Sequence, residues 1–236
     1  MSNDQETKGQ IALACRLFCR QVENFDFLGH ISCRLGDSIY IKGRHASVGS
    51  MHRLQAKHIM KLSLEGKKEE ENDLDIPSEI FMHTEIYKAR KDVQAVVHSH
   101  QPLATAFACS GKRMVPIYHP ILAKQVFGDD GKPMPIHKTA ELIYTVAQGR
   151  ALAKTLKDRN VCLLQGHGVV VVGSSVEEAT LRAISLEEQA KWNMLALSLG
   201  KAIPIPVLLL KKARVAGTKG RWDYLVSLLD DETKSS

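Results

Sequence analysis

The chain has 236 residues, of which 44% are hydrophobic and 25% charged, an ordinary composition for a folded protein of one large domain or two small ones. The formal net charge is +6, but the basic residues are scattered without interleaved aromatic residues, which argues against nucleic-acid binding. No apolar run approaches the ~18 residues of a membrane span and no signal peptide is visible, so we expect a cytoplasmic protein with reduced cysteines.

The periodicity of the first part of the chain predicts one helix and three strands. The Gly-Asp pair at positions 36 and 37 marks a hairpin turn, so the first two strands should be antiparallel. The predicted elements are, in order, a helix over Thr7–Gln21 and strands over His30–Leu35, Ser38–Lys42 and Ile59–Leu64.

The segment Gly43–Leu54, between the second and third strands, is irregular and rich in basic residues. It is either a solvated loop or a lid that meets an anionic substrate, and the sequence leaves both interpretations open. In the second case Arg44 and His45 are candidates for contacts to a small anionic substrate.

Helices and strands alternate in the second part of the chain. A helix is predicted to begin at Pro77-Ser78-Glu79 and to run to Arg90, with Ser78 as its cap and Glu79 in its first turn. The remaining predictions are strands over Val93–His98, Val161–Gln165 and Val169–Val172, helices over Pro102–Ala108, Thr139–Leu156 and Ser175–Ser198, an extended segment over Met114–Pro120 and a loop over Phe127–Ile136.

Interleaved helices and strands, together with an antiparallel hairpin, predict an α/β fold with three layers around one central sheet. We find no internal repeat and no domain boundary, so residues 1–236 are expected to form a single domain. Its core should cover about 9–199, and 200–236 should be a C-terminal tail that contains a basic stretch and a short amphipathic piece at 222–229.

The pattern V-V-H-S-H at positions 96–100 ends a predicted strand. Residues i and i+2 of a strand point to the same face, so the imidazoles of His98 and His100 can reach one point in space. Glu79 and His167 lie at the mouths of other predicted elements and would complete a set of three imidazoles and one carboxylate. Such a set predicts an open site for a divalent metal such as zinc. The histidines expected to have only structural roles are His58, His83 and His137.

The motifs P-S-E, A-V-V-H-S-H and L-L-Q-G-H-G, in this order, resemble the class II aldolase/adducin family. A final helix with Ala179, Glu187 and Ala190 in the family's spacing extends the resemblance, which covers roughly Gly9–Leu199. The resemblance implies a three-layer α/β/α fold with a central mixed, mainly antiparallel sheet. It also implies a homotetramer with active sites between subunits.

The same resemblance implies a divalent metal held by His98, His100 and His167, with zinc expected before cobalt, manganese or iron. In the sugar-phosphate aldolases of the family, the glutamate that matches Glu79 shuttles the proton. Glu79 is therefore the expected catalytic acid–base and a fourth candidate metal ligand.

Departures from the aldolase pattern change the expected substrate. Phe27 and His30 stand where those aldolases have a threonine and an asparagine, Pro77 stands where they have a serine, and Pro120 matches their tyrosine proton donor. The G-H-I-S pattern that begins at Gly29 instead resembles a branch of the family that includes decarboxylases of hydroxylated aromatic acids. We therefore predict a metal-dependent carbon–carbon lyase, a non-oxidative decarboxylase of a hydroxylated aromatic or β-keto acid.

In this interpretation Phe27 supplies an apolar wall for an aromatic ring, and a cationic His30 pairs with a substrate carboxylate beside Arg44 and His45. Two alternatives come from other functional classes. One is an aldolase, epimerase or dehydratase acting on a sugar-derived substrate with the same metal. The other is a non-catalytic interaction protein, as in the adducin arm of the family, although that role would not require the three histidines and Glu79.

Overall fold

The structure is a computed structural model that describes residues 3–22, 28–214 and 219–233, so that Phe27, a predicted substrate contact, lies outside the described residues. The helices are α1 (Asn3–Gln21), α2 (His45–Val48), α3 (Ile80–Ala89), α4 (Pro102–Ser110), α5 (Pro120–Phe127), α6 (Val146–Leu156), α7 (Val176–Ser198), α8 (Val207–Lys212) and α9 (Lys219–Thr233). The strands are β1 (His30–Leu35), β2 (Ser38–Lys42), β3 (Ile59–Ser63), β4 (Ala95–Ser99), β5 (Ile136–His137), β6 (Val161–Leu164) and β7 (Gly168–Gly173).

The strands form one sheet in the order β3-β2-β1-β4-β7-β6-β5. Every pair is antiparallel except β5 with β6, which is parallel. The expectation of a mixed, mainly antiparallel central sheet is therefore confirmed. The pairing of β1 with β4 places His30 directly opposite His98, two residues that are far apart in the sequence.

Helices cover both faces of the sheet and give the three layers that were predicted. Side chains such as Ile31, Val97 and Val171 point to one face and pack with α1, α4, α5 and α7. Ile39 and Val96 point to the other face and pack with α3 and α6. Burial of each such side chain stabilises the fold by roughly 1.5–3 kcal/mol relative to exposure, so the two apolar layers fix the register of the strands.

Two predicted helix starts differ from the structure. The helix expected from Thr139 begins at Val146, because Thr145 and Gln148 form a reciprocal capping box between side chains and backbone N–H groups. The helix expected to be capped by Ser78 begins at Ile80, with Glu79 in the cap position and no side-chain cap.

Other segments are more ordered than the sequence predicted. Helix α5 lies between the predicted extended segment and the predicted loop and was not predicted. Pro120 opens it, since its fixed φ suits the first helical position. The cationic segment Gly43–Leu54 contains α2 and a 3₁₀ turn, and its Met51 and Leu54 are buried against the core. That segment is therefore anchored to the body of the protein. None of the helices in the described part of the chain combines the length and apolarity needed to cross a bilayer.

Candidate metal centre and adjoining cavity

Three imidazoles meet where β4 ends and where the chain turns from β6 into β7. His98 lies in β4, His100 follows that strand, and His167 lies in the turn. The Nε2 atoms of His98 and His100 are 3.1 Å apart. Each of the three residues offers one ring nitrogen, and these nitrogens lie within 4.8 Å of one another. The structure thus brings together the three histidines that were predicted as metal ligands.

The backbone geometry of the Gly-His-Gly turn requires glycine at both of its glycine positions. Gly166 has φ +72°, a left-handed conformation that glycine adopts without strain. A Cβ atom on Gly168 would lie 2.5 Å from the carbonyl oxygen of Ser99 and 2.6 Å from Cδ2 of His100. Glycine at 168 therefore allows the start of β7 to approach the end of β4 closely enough for His167 to meet His98 and His100.

Glu79, at the start of α3, reaches the same place from the neighbouring layer. Its Oε1 accepts the backbone N–H of Ile143 at 2.9 Å. Its Oε2 lies 3.6 Å from Nε2 of His98 and 3.4 Å from Nε2 of His167. Burial alone would raise the pKa of Glu79, but its interactions with His167 and His98 and the Ile143 N–H lower it to about 2. The carboxylate is therefore ionised at neutral pH.

The donor atoms fit a divalent metal. Nδ1 of His98 donates to the carbonyl oxygen of Val169 at 2.9 Å, so in the neutral ring Nε2 carries a lone pair. Burial lowers the pKa of His98 well below its usual value and that of His100 to about 4, which keeps both rings neutral. Nε2 of His167 is buried, and among the described residues its polar neighbour is the Glu79 carboxylate at 3.4 Å, which lacks the geometry of a hydrogen bond. A lone pair, an unsatisfied buried nitrogen and a carboxylate facing one point are what a metal would satisfy.

A second set of donor atoms shares this region. One atom each from His30, Glu79 and His98 also lies within 4.8 Å of the others, and all three residues are buried. Geometry alone therefore leaves two sets of ligands that share His98. One set adds His100 and His167, and the other adds His30 and Glu79.

A cavity of about 250 Å³ adjoins the centre. Glu79 and His100 line it together with His30, Arg44 and His45, so the described members of the predicted substrate site line one cavity. Burial is the main reason that the pKa of His30 lies well below its usual value. The structure therefore favours a neutral His30 over the cation that the sequence suggested.

Lys42 is a cavity residue that the sequence reasoning missed. It is 2% exposed and its Nζ donates to the carbonyl oxygen of Gly43 at 3.3 Å, with no carboxylate partner among the described residues. Burial lowers its pKa. The available signal was a lysine that ends the otherwise apolar alternation of β2. A buried ammonium without an anionic partner on a cavity wall is suited to an anionic ligand.

Leu142 and Tyr144 also line the cavity and were assigned by sequence to the interior of a helix. They lie in the non-helical segment before α6, the same segment whose Ile143 N–H binds Glu79. The T-x-x-Q pattern from Thr145 to Gln148 was the signal for the true helix start. With Phe27 outside the described residues, Tyr144 is the aromatic side chain that the structure places on the cavity wall.

His83 was expected to have a structural role only, yet it contacts the candidate site. It is fully buried on α3, and its Nε2 lies 2.7 Å from Nδ1 of His30. Burial lowers its pKa to about 3, so the ring is neutral at physiological pH. No sequence signal identified this contact, because it depends on how α3 lies over β1.

Comparison with known proteins gives one family. The Class II Aldolase and Adducin N-terminal domain matches residues 9–194. A 3,4-dihydroxyphthalate decarboxylase from Rhodococcus jostii is 31% identical over 80% of this chain and 80% of its own length. A 5-methylthioribulose-1-phosphate/5-deoxyribulose-1-phosphate aldolase from Rhodospirillum rubrum is 30% identical over 75% of this chain and 76% of its own.

Solved structures agree on the fold. An aldolase II superfamily protein from Pseudomonas syringae superimposes with a TM-score of 0.82 and 22% identity, covering 98% of this chain and 95% of the other. The L-fuculose 1-phosphate aldolase from Glaciozyma antarctica superimposes with a TM-score of 0.79 and 19% identity, covering 99% of this chain and 92% of the other. At these identities the structural likeness establishes the architecture alone.

Proposed function

The chain belongs to the class II aldolase and adducin family, and from that premise we propose that it is a metal-dependent decarboxylase of a hydroxylated aromatic acid. The prediction of an enzyme of this family, a carbon–carbon lyase, is confirmed by its relatives. The observation that carries the proposal is the convergence of His98, His100, His167 and Glu79 beside a cavity with the basic residue Lys42 on its wall.

His98, His100 and His167 would hold the divalent ion, with Glu79 as the candidate fourth ligand, and zinc is the proposed metal. When bound, such an ion acts as a Lewis acid toward a substrate oxygen. Three neutral imidazoles leave the ion its positive charge. We also propose that the whole chain is one domain and that it forms a homotetramer with the site between subunits, which light scattering of the purified protein would test.

Glu79 is proposed as the acid–base group. Its ionised carboxylate can take the proton of the substrate hydroxyl ortho to the leaving carboxylate. The bond between the ring carbon and the carboxylate then breaks, CO2 leaves, and the electron pair of that bond stays on the ring carbon. Protonated Glu79 returns its proton to that carbon, and the phenolate left behind is protonated by water. The products are CO2 and the phenol, water supplies the second proton, and no oxidant is needed.

The other cavity residues bind and orient the acid. Lys42 and Arg44 provide positive charge for carboxylates, and Tyr144 provides an aromatic face beside the ring. His45 is proposed as a further contact on the same wall. Phe27 keeps its proposed role as an apolar wall, although it lies outside the described residues.

The alternative is an aldolase, epimerase or dehydratase that acts on a sugar-derived substrate, which the 30% identical aldolase from Rhodospirillum rubrum favours. Pro77 weakens this alternative because it lines the cavity without a backbone N–H to offer a phosphate group. A purely adducin-like interaction role would leave unexplained why three imidazole nitrogens and the Glu79 carboxylate converge on one point.

The test is metal analysis combined with parallel detection of CO2 and aldehyde release from ortho-hydroxylated aromatic acids, β-keto acids and ketose 1-phosphates. We expect about one divalent ion per chain and CO2 release in the wild type and in the control His58→Ala, and loss of both in His98→Ala. Aldehyde release from a ketose 1-phosphate without decarboxylation of any tested acid would establish the aldolase alternative.

A further inference from the structure

A buried chain of hydrogen bonds runs from the cavity into the core behind His30. Nδ1 of His30 lies 2.7 Å from Nε2 of His83, and Nδ1 of His83 lies 2.6 Å from Oγ of Ser32. Oγ of Ser32 lies 2.7 Å from the phenol oxygen of Tyr87. His30 is 7% exposed and faces the cavity, and the other three residues are fully buried. The chain has one end at the cavity and one closed end.

With both imidazoles neutral, two arrangements run unbroken along these hydrogen bonds, with one hydrogen in each link. In the first arrangement Tyr87 O–H donates to Ser32, Ser32 O–H donates to Nδ1 of His83, and Nε2–H of His83 donates to Nδ1 of His30. His30 then keeps its own hydrogen on Nε2. In the second arrangement every donor is reversed, His30 carries its hydrogen on Nδ1, and its Nε2 has a lone pair.

The two arrangements differ at the closed end. In the second, Ser32 donates to Tyr87, and the phenol hydrogen of Tyr87 needs another acceptor. Among the described residues the hydrogen-bond partner of that oxygen is Ser32, and the structure gives it no second acceptor. The second arrangement leaves a buried O–H without an acceptor, whereas the first uses every hydrogen. The penalty for an orphaned buried donor corresponds to a preference of roughly 5- to 100-fold for the first arrangement.

We propose that Tyr87, Ser32 and His83 lock the tautomer of His30, so that His30 presents an Nε2–H donor to the cavity and recognises a carboxylate oxygen of the substrate. His83, Ser32 and Tyr87 are positioning residues that act through His30. The recognition part of this inference rests on the proposed function, but the tautomer does not.

The fixed tautomer of His30 also decides between the two candidate sets of metal ligands. A ring nitrogen that carries hydrogen cannot coordinate a metal. With Nδ1 of His30 bonded to His83 and Nε2 protonated, His30 has no lone pair to offer. The set of His98, His100 and His167 is therefore the one that the structure assigns to the metal, and His30 is left for the substrate.

The hydrogen-bonded series from His30 to Tyr87 does not work as a proton relay. A proton passed from His30 to the substrate would have to be replaced through His83 and Ser32 by Tyr87. Burial raises the pKa of Tyr87 well above its usual value, and the residue is fully buried, so a tyrosinate there is strongly disfavoured. The hydrogen-bonded series orients His30, and proton transfer in the proposed reaction is assigned to Glu79.

The decisive experiment is ¹⁵N NMR of the zinc-loaded protein labelled at histidine, with His30 and His83 assigned from the spectra of H30Q and H83Q. We expect His30 to be neutral with hydrogen on Nε2, His83 to carry its hydrogen on Nε2, and metal-induced shifts in His98, His100 and His167 only. A hydrogen on Nδ1 of His30, or a metal-induced shift of its Nε2, would overturn the proposal whether or not the enzyme proves to be a decarboxylase.

Kinetics test the functional part with the acid that is turned over in the CO2 screen. His83→Leu removes the donor to His30, and we expect KM to rise by about 10-fold with the zinc content unchanged. His83→Gln, whose amide N–H can replace Nε2–H, should restore most of the wild-type KM. Ser185→Ala removes a buried hydroxyl on α7 and serves as the control for Ser32→Ala, which should mix the tautomers of His30.

These outcomes distinguish the two hypotheses. Equal KM values for His83→Leu, His83→Gln and the wild type would refute recognition through His30, even if the tautomer is as expected. If no acid is decarboxylated, the proposed function fails, and titration of the labelled protein with 2-hydroxybenzoate still tests recognition. In that titration a shift of the His30 Nε2–H signal supports the inference, and its absence at saturating ligand contradicts it.

Discussion

The two faces of the sheet are built from the same strands but carry different kinds of side chain. The face under α1 and α7 receives apolar residues such as Ile31 and Val97 along the middle of the sheet. The face under α3 and α6 is apolar at Val96, yet Ser32 and His98, the neighbours of Val96 on that face, are polar and buried.

The difference shows how stability and chemistry are divided between two layers. The centre of the first face is apolar and can be packed continuously. Its buried polar side chain Ser99, at the end of β4, donates to Gln101, which in turn donates to the carbonyl oxygen of Ala183 on α7.

On the second face the buried polar side chains of β1 find their partners on α3. His30 and Ser32 bond to His83, and Ser32 also bonds to Tyr87. We expect substitutions in the apolar centre of the first face to change stability, and substitutions of the buried polar groups on the second face to change turnover or ligand binding.

The largest expected effect is on the second face. Glu79→Gln keeps the size and part of the hydrogen bonding of the side chain but removes the acid–base group, so kcat should fall by ~10²–10⁴. Metal content, measured by elemental analysis, should stay close to that of the wild type because the three histidines remain. Glu177→Gln, on α7, is the matched control and should retain full kcat. A near-normal kcat for Glu79→Gln would assign the proton to another group.

Truncation of a large apolar side chain on the first face should lower stability without changing turnover. Leu181 is fully buried on α7, and Leu181→Ala should lower the free energy of unfolding by about 2–5 kcal/mol in urea denaturation. The kcat and the metal content per folded molecule should be unchanged, since Leu181 touches neither the metal centre nor the cavity. A selective loss of kcat in the folded protein would break the division between the two faces.

Acid should destabilise the second face. The pKa of His83 is about 3 in the fold, because the ring is buried, and 6.5 in the unfolded chain. The unfolded state therefore binds more protons below pH 6.5, and the contribution of His83 to stability is complete above that pH and is lost as the pH falls toward 3. In metal-free protein, the titration of His83 alone should lower the free energy of unfolding by about 2–3 kcal/mol as the pH falls from 6.5 to 4.5.

The measurement is urea denaturation at a series of pH values in the presence of a chelator, with His83→Gln as the comparison. The variant should lose less stability over the same pH interval, because glutamine at position 83 does not bind a proton. Parallel curves for the two proteins would show that the acid sensitivity arises elsewhere.

The smallest expected effect concerns the cavity wall. Lys42→Met keeps the length of the side chain but removes its charge, so KM for an anionic substrate should rise by roughly 10-fold, the lower range for a hydrogen bond to a charged group. Lys61→Met, near the outer edge of the sheet on β3, controls for a general change of charge. Equal KM values for the two variants would remove Lys42 from the substrate site.

Much of the metal centre was determined by local sequence. The spacing of His98 and His100 works because a strand repeats every two residues, and the glycines around His167 reveal a tight turn without any tertiary information. The alternation of helices and strands and the hairpin at 36–37 were likewise enough for the three-layer class. These features depend on backbone geometry over a few residues, which the sequence specifies directly.

The surroundings of the centre were decided only by the tertiary structure. The contact of His30 with His83 requires β1 to pair with β4 and α3 to lie across both, and each of these residues alone resembles an ordinary buried histidine. The burial of Lys42 and the position of Tyr144 depend in the same way on segments that meet at the strand ends. Such contacts join residues that are distant in the chain, and their free energy comes from packing and from shared hydrogen bonds, which no local pattern encodes.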